Sequence, residues 1–174
     1  IYSDELIKDE PYYLKDLGSI INQRTKIFYC GKNVVSKNLT TFSKVDKILS
    51  NEIVFWDNYY ANDYCPRRFF IGPYVGRENL KKIMINPTGL IHTDLLILDI
   101  FASSIKHKPS TNEWITILNN HGVPKIFNKV KHFFLKPNFG SNPLPNSFNL
   151  NARYFEVLDF LLWKWKGELS REWY

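Results

Sequence analysis

Two cysteines, one methionine and no long unbroken apolar run set the first limits on this 174-residue chain. Cys30 and Cys65 are too few for a disulfide scaffold, and neither sits in a Cys/His spacing that holds a metal. His92, His107, His121 and His132 show no mutual ligand spacing either, so neither a metal nor a cofactor is expected. The most apolar stretch, about 95–105, contains Asp99 and follows Asp94, and it falls far short of the roughly 20 residues that cross a bilayer; no membrane partner is expected. Glycine-rich phosphate loops and the nucleophile elbow are both missing. The chain opens on Ile1-Tyr2-Ser3 without Met and without a basic-then-apolar leader, which favours a cytoplasmic protein and reads as a cut through something longer.

What is present allows a folded core: 44% of residues are apolar and 16% aromatic. Net charge is +6, and much of it lies between Ser104 and Gly140, where Lys106, Lys108, Lys125, Lys129, Lys131 and Lys136 face only Glu113. Such a run is read as a solvated face, because no aromatic-basic recognition motif accompanies it; no nucleic-acid partner is expected.

Periodicity predicts alternating helices and strands over the first two-thirds. Tyr12 to Ile21 carries Leu14, Leu17, Ile20 and Ile21 at helical spacing after Pro11. Lys26 to Cys30 and Ile53 to Trp56 read as buried strands, with a helix over Thr41 to Leu49 between them. A long loop from Asp57 to Gly76 leads to a short helix near Glu78 to Lys81, a strand at Ile83 to Ile85 and a helix from about Thr93 to Ile105. Strands separated by helices at this rhythm argue for parallel βαβ units. After Lys108 the reading is helical, with helices at Asn112 to Asn120 and Asn151 to Lys166 and a turn-rich linker at Pro137 to Pro145. The expected division is therefore 1–108 as an α/β domain and 109–174 as a helical region.

If the parallel strands belong to a barrel, its chemistry lies at their C-terminal ends and in the loops that follow. Those ends carry Gly31 and Asn33, then Asp57 and Asn58, then Asn86, with Tyr2 just before the first helix. The run Trp56-Asp57-Asn58-Tyr59-Tyr60-Ala61-Asn62-Asp63-Tyr64 combines aromatic rings, which cover the C–H face of a sugar, with amides and carboxylates that bond its hydroxyls. Against this stand plainer readings: Trp56 as a core residue at a strand end, Asp63 as a turn residue, and Arg67 and Arg68 as partners of loop carboxylates.

The residues resemble one family. Trp56-Asp57-Asn58, Ala61-Asn62-Asp63-Tyr64 and Ile71-Gly72-Pro73-Tyr74-Val75-Gly76-Arg77 are similar to the W-D-N, A-N-D-Y and L-G-P-Y-x-G-R segments of glycoside hydrolase family 84, the protein O-GlcNAcases and hyaluronidase-like β-N-acetylglucosaminidases. Gly31 to Lys37 (GKNVVSK) resembles the family's G-P-x-V-V-S-K-E segment, and Ile85-Asn86-Pro87 its T-N-P segment. The likeness covers about residues 1–105. It implies the C-terminal half of a (β/α)8 barrel followed by a helical region, and a substrate-binding set of Tyr2, Trp56, Asn58, Asp63 and Asp94. In the family, Tyr2 would sit beside the acetamido pocket, Trp56 would line it, Asn58 would help to hold the acetamido group, and Asp63 would bind sugar hydroxyls. Asp94 falls where animal relatives have a second hydroxyl-binding asparagine, a departure that changes hydrogen-bond polarity.

The implied chemistry is retention by substrate assistance: the 2-acetamido oxygen attacks the anomeric carbon, outside the usual two-carboxylate scheme. One aspartate orients the acetamido group and its neighbour acts as acid and then base. No Asp-Asp pair occurs in the chain, so no catalytic residue is assigned within it and the pair is expected upstream of residue 1. The expected partner is a glycoprotein or glycan carrying N-acetylglucosamine. The alternative is a non-catalytic N-acetylglucosamine-binding barrel protein of the same descent.

Overall fold

The computed structural model describes residues 3–4, 12–39, 45, 47–62, 69–77, 80, 82–107, 110–135 and 152–173. The described parts of Ile1–Ala61 and Gly76–Asn86 make one compact unit; those of Asn62–Val75, Pro87–Pro137 and Leu144–Tyr174 make a second.

The first unit is built on a three-stranded parallel sheet in the order β1 (Ile27–Tyr29), β2 (Ile53–Asp57), β3 (Ile83–Ile85). Ile27 pairs with Ile53 and Tyr29 with Phe55, while Phe55 pairs with Ile83 and Asp57 with Ile85. Parallel strands joined in sequence order require crossover connections rather than tight turns, as the alternating pattern predicts. Along β2, Ile53, Phe55 and Asp57 are buried and Val54 and Trp56 half-buried, a period-2 pattern with one face fully covered and the other partly.

Helix α1 (Tyr13–Ile20) buries Leu14, with Leu17 partly covered, against a core of Ile27, Tyr29, Leu39, Val45, Leu49, Ile53 and Phe55. Ile20, expected on the same face, is exposed instead. It is the last helical residue, and the neighbouring Ile21 turns inward in extended backbone. Of the helix expected over 41–49 only residues 45 and 47–49 are described, and they form a turn with Leu49 N–H on Val45 O; of that expected at 78–81 only Leu80 is described, in irregular backbone; the linker at 137–145 lies outside the described residues.

The second unit is helical. Helices α2 (Ile91–Lys106) and α3 (Thr111–Asn120) bury Leu96, Ile100, Trp114 and Leu118 in one core with Ile71, Phe127, Val157, Leu161 and Trp165. Ser110 caps α3, its hydroxyl accepting from Glu113 N–H. The helix stops where Gly122, at φ +80°, takes the left-handed position. Gly122 N–H bonds to Asn119 O and Val123 N–H to Leu118 O, the paired bonds of a Schellman motif.

The helix expected at 151–166 is helical from Ala152 to Lys164, not uniform, and ends before Trp165, whose backbone is extended. A 3-10 turn (Ala152–Tyr154) leads into α4 (Phe155–Asp159), which widens into a π turn (Phe160–Lys164) closed by Trp165 N–H on Phe160 O at 2.8 Å. Trp165 is thereby buried, with its indole N–H on Gly122 O. A last helix, α5 (Glu168–Trp173), follows. No helix is long and apolar enough to cross a membrane among the described residues.

Candidate functional site

The C-terminal edge of the sheet carries the polar residues that the strand ends predict. Asn58 follows β2 directly and is 6% exposed. Its Oδ1 accepts from the Trp56 indole N–H at 2.9 Å and from Asn86 Nδ2 at 3.1 Å. Its Nδ2 donates to the Val34 carbonyl at 2.8 Å and faces Cys30 Sγ at 3.5 Å. With two N–H donors on one side and a carbonyl on the other, this network fixes which way round the amide lies. Residues after all three strands therefore converge on one side chain: Cys30 and Val34 after β1, Asn58 after β2, Asn86 after β3. The sheet continues at this end through Asn86 N–H on Asp57 O at 2.9 Å.

Beneath Asn58 lies a buried ion pair. Arg77 Nε donates to Asp57 Oδ2 at 2.7 Å and its Nη2 to Asp57 Oδ1 at 3.0 Å, both side chains 1% exposed. The same guanidinium donates to the carbonyls of Ser36 and Lys37, each at 2.6 Å, and lies 4.4 Å from the Tyr59 ring centroid. Asp57 also accepts from Tyr59 N–H at 3.1 Å. A carboxylate and two carbonyls around one planar cation satisfy charge and hydrogen bonding together, which a buried charge requires. Gly76, at φ +79°, brings Arg77 in: a Cβ there would lie 3.1 Å from Lys37 O, and Leu39 N–H bonds to Gly76 O.

Burial at this edge shifts two titrating groups. Burial pushes the Cys30 thiol up to about 11, against the opposing bond from Asn58. Burial, with the neighbouring Tyr59 and Asp57, holds the Tyr60 phenol well above its ordinary value. A protonated thiol this high is a poor nucleophile.

The predicted site residues are placed unevenly. Trp56 and Asn58 are hydrogen-bonded to one another; Trp56 directs its N–H to the amide and packs its ring edge-to-face with Phe28 at 5.5 Å. Tyr2 and Asp63 lie outside the described residues. Asp94 belongs to the second unit, in the first turn of α2, where Oδ1 accepts from Thr88 N–H at 2.8 Å and from its hydroxyl at 2.6 Å, and Oδ2 from Gly89 N–H at 3.1 Å. It closes the turn before the helix, a contact that spacing alone did not reveal. Arg77 and Cys30 were also missed as parts of the network. The G-R at the end of the loop motif was the available signal for Arg77; for Cys30 there was none. Among the described residues no cluster of His, Cys, Asp or Glu is arranged to hold a metal ion.

The rat Protein O-GlcNAcase is 38% identical over an alignment of 101 residues that covers 54% of this chain and 11% of the relative, so the chain spans a small part of that protein. The solved structure of an O-GlcNAc hydrolase variant from Thermobaculum terrenum is 26% identical with a TM-score of 0.56, covering 70% of this chain and 29% of its own. The structure of CpGH84D, 20% identical with a TM-score of 0.52 over 98% of this chain and 30% of its own, is alike in fold. A family model described as beta-N-acetylglucosaminidase matches residues 2–105, and the chain belongs to that family.

Proposed function

We propose that this chain is part of a retaining β-N-acetylglucosaminidase that removes terminal β-linked N-acetylglucosamine from glycoproteins or glycans by substrate-assisted catalysis. Residues 1–108 supply the second half of a (β/α)8 barrel and 109–174 a helical region after it, although α2 shares one core with residues beyond 108. The observation that carries the reading is the convergence of Asn58, Trp56 and Asn86 at the C-terminal ends of parallel strands, where barrel enzymes hold their substrates. Asn58 then holds the acetamido group with Trp56 beside it. The family resemblance also assigns Tyr2, Asp63 and Asp94 to sugar binding.

The chain has no adjacent aspartates, so the acid/base and the acetamido-orienting carboxylate come from polypeptide outside it. The test uses the full-length protein containing this chain and an aryl N-acetyl-β-glucosaminide. Hydrolysis there, with no turnover above background by the 174-residue chain alone, is the expected result. Binding of an N-acetylglucosamine-like inhibitor without hydrolysis by the full-length protein would mark a sugar-binding relative. Neither binding nor hydrolysis would overturn the reading.

A further inference from the structure

Asn58 does not orient itself. Its Nδ2 is aimed by the Val34 carbonyl, which lies in the irregular segment after β1, two and three residues before the carbonyls that Arg77 grips at Ser36 and Lys37. On its other side Arg77 grips Asp57, the residue next to Asn58 in the chain. The segment is pinned at its start too, since the Ser36 hydroxyl donates toward Cys30 O and Asn33 O and accepts from Asn33 N–H. One guanidinium therefore clamps the β1 loop to the end of β2, and both arms of the clamp end one to three residues from a group that touches Asn58.

We infer that Arg77 is a positioning residue for the sugar-binding amide: it sets the distance between the Val34 carbonyl and the end of β2, and so fixes the direction of the Asn58 side chain. The inference rests on the proposed role of Asn58 in holding the acetamido group. Arginine is required here because the clamp has two jaws. A planar fork meets a carboxylate along one edge and carbonyls along another, whereas a lysine ammonium is a compact point charge that serves one partner well. Arg77→Lys thus keeps a cation beside Asp57 and releases the loop. Arg77→Ala strands a buried carboxylate and breaks the fold, so it is unsuitable as a test.

The experiment compares wild type, Arg77→Lys, Asn58→Ala and the double variant of the full-length protein containing this chain, by turnover of an aryl N-acetyl-β-glucosaminide and by the Trp56 indole N–H resonance, assigned with Trp56→Phe. Arg77→Lys should stay folded, shift the Trp56 indole resonance, and lower kcat on the order of 10- to 100-fold, the range that misplacement at a distance produces. In the Asn58→Ala background the same change should have little further effect, because the clamp acts through a side chain that is gone. A purely structural role would give additive losses that track melting temperature. Additive losses, or an unmoved Trp56 resonance in folded Arg77→Lys, would overturn the inference. If wild type neither turns over nor binds the glycoside, the sugar-site reading has failed, and the Trp56 resonance still decides whether Arg77 sets the Asn58 geometry.

Discussion

Glu172 and Thr93 stand 79 positions apart, yet the Glu172 carboxylate accepts from Thr93 N–H at 2.8 Å and from its hydroxyl at 2.7 Å. It also accepts from His92 N–H at 2.8 Å. The N-cap residue of α2, Leu90, has no side chain that can cap, so a carboxylate from the last helix satisfies the orphan N–H groups and complements the helix dipole. Glu172→Ala should destabilise the second unit by about 1 kcal/mol, within the range for lost caps, as read by urea denaturation. Partial burial works to raise the Glu172 pKa, but the donated bonds outweigh it and hold it below the ordinary value of 4.5. A depressed folded value means that the contribution is complete above the unfolded pKa and lost as pH falls through the folded one. The difference between wild type and Glu172→Ala should therefore shrink on acidification below about pH 4.5.

That cap was invisible in the sequence, because a glutamate near the chain end carries no sign of the helix it serves. Elements with a repeating pattern were legible. The run of β-formers at Ile53 to Trp56 and the helices read from about Thr93 to Ile105 and from Asn112 to Asn120 match β2, α2 and α3 to within two residues. The short 3-10 segments at 125–133 and α5 went unread, since one or two turns fall below the span over which a period can be recognised. At the site, strand-end counting found Asn58, Asp57 and Asn86. It could not find the Arg77 clamp, which joins a backbone carbonyl 40 positions away to a carboxylate 20 positions away.

Neighbouring leucines in α2 should behave in opposite ways. Leu96 is 0% exposed in the core with Ile100 and Trp114, while Leu95 is 51% exposed. Leu96→Ala should cost about 2–5 kcal/mol through lost burial and the cavity left behind. Leu95→Ala should stay within about 0.5 kcal/mol. Equal losses in chemical denaturation would contradict the burial of this helix face.

The Cys30 thiol should be inert while the protein is folded. With Cys65 replaced by Ser it becomes the sole thiol. At a pKa of about 11 only about one thiol in a thousand is ionised at pH 8, and the sulfur is buried as well. A disulfide reagent should modify it slowly in native buffer and quickly in denaturant. Because the folded value is raised above the ordinary 9.0, the folded state holds the proton more tightly, so stability should fall as pH climbs from about 9 toward 11. Fast native labelling would show that the thiol is neither buried nor held by Asn58.

Asp94 poses the sharpest choice, because the resemblance makes it a sugar ligand while its observed partners make it a loop closure. Oδ1 already accepts twice from Thr88, and Oδ2 accepts from Gly89 N–H at 3.1 Å; a carboxylate oxygen can accept two bonds, so Oδ2 retains room for a sugar hydroxyl. Asp94→Asn, the change toward the asparagine of the animal relatives, keeps an oxygen for Thr88 but sets an NH2 group against the Gly89 N–H, donor against donor. It should cost about 1 kcal/mol of stability, the net worth of one hydrogen bond. If Asp94 also binds sugar through Oδ2, the same variant of the full-length protein should bind an N-acetylglucosamine-like inhibitor on the order of 10-fold more weakly, or 10-fold more tightly where the hydroxyl can accept from the new amide, since one charge-assisted bond is worth roughly 1.5 to 3 kcal/mol. Thermal denaturation and inhibitor titration on this one variant separate the roles. A drop in melting temperature with unchanged affinity would leave Asp94 as the clasp of the β3–α2 turn and remove it from the sugar site, whereas a change in affinity beyond the stability loss would place it there.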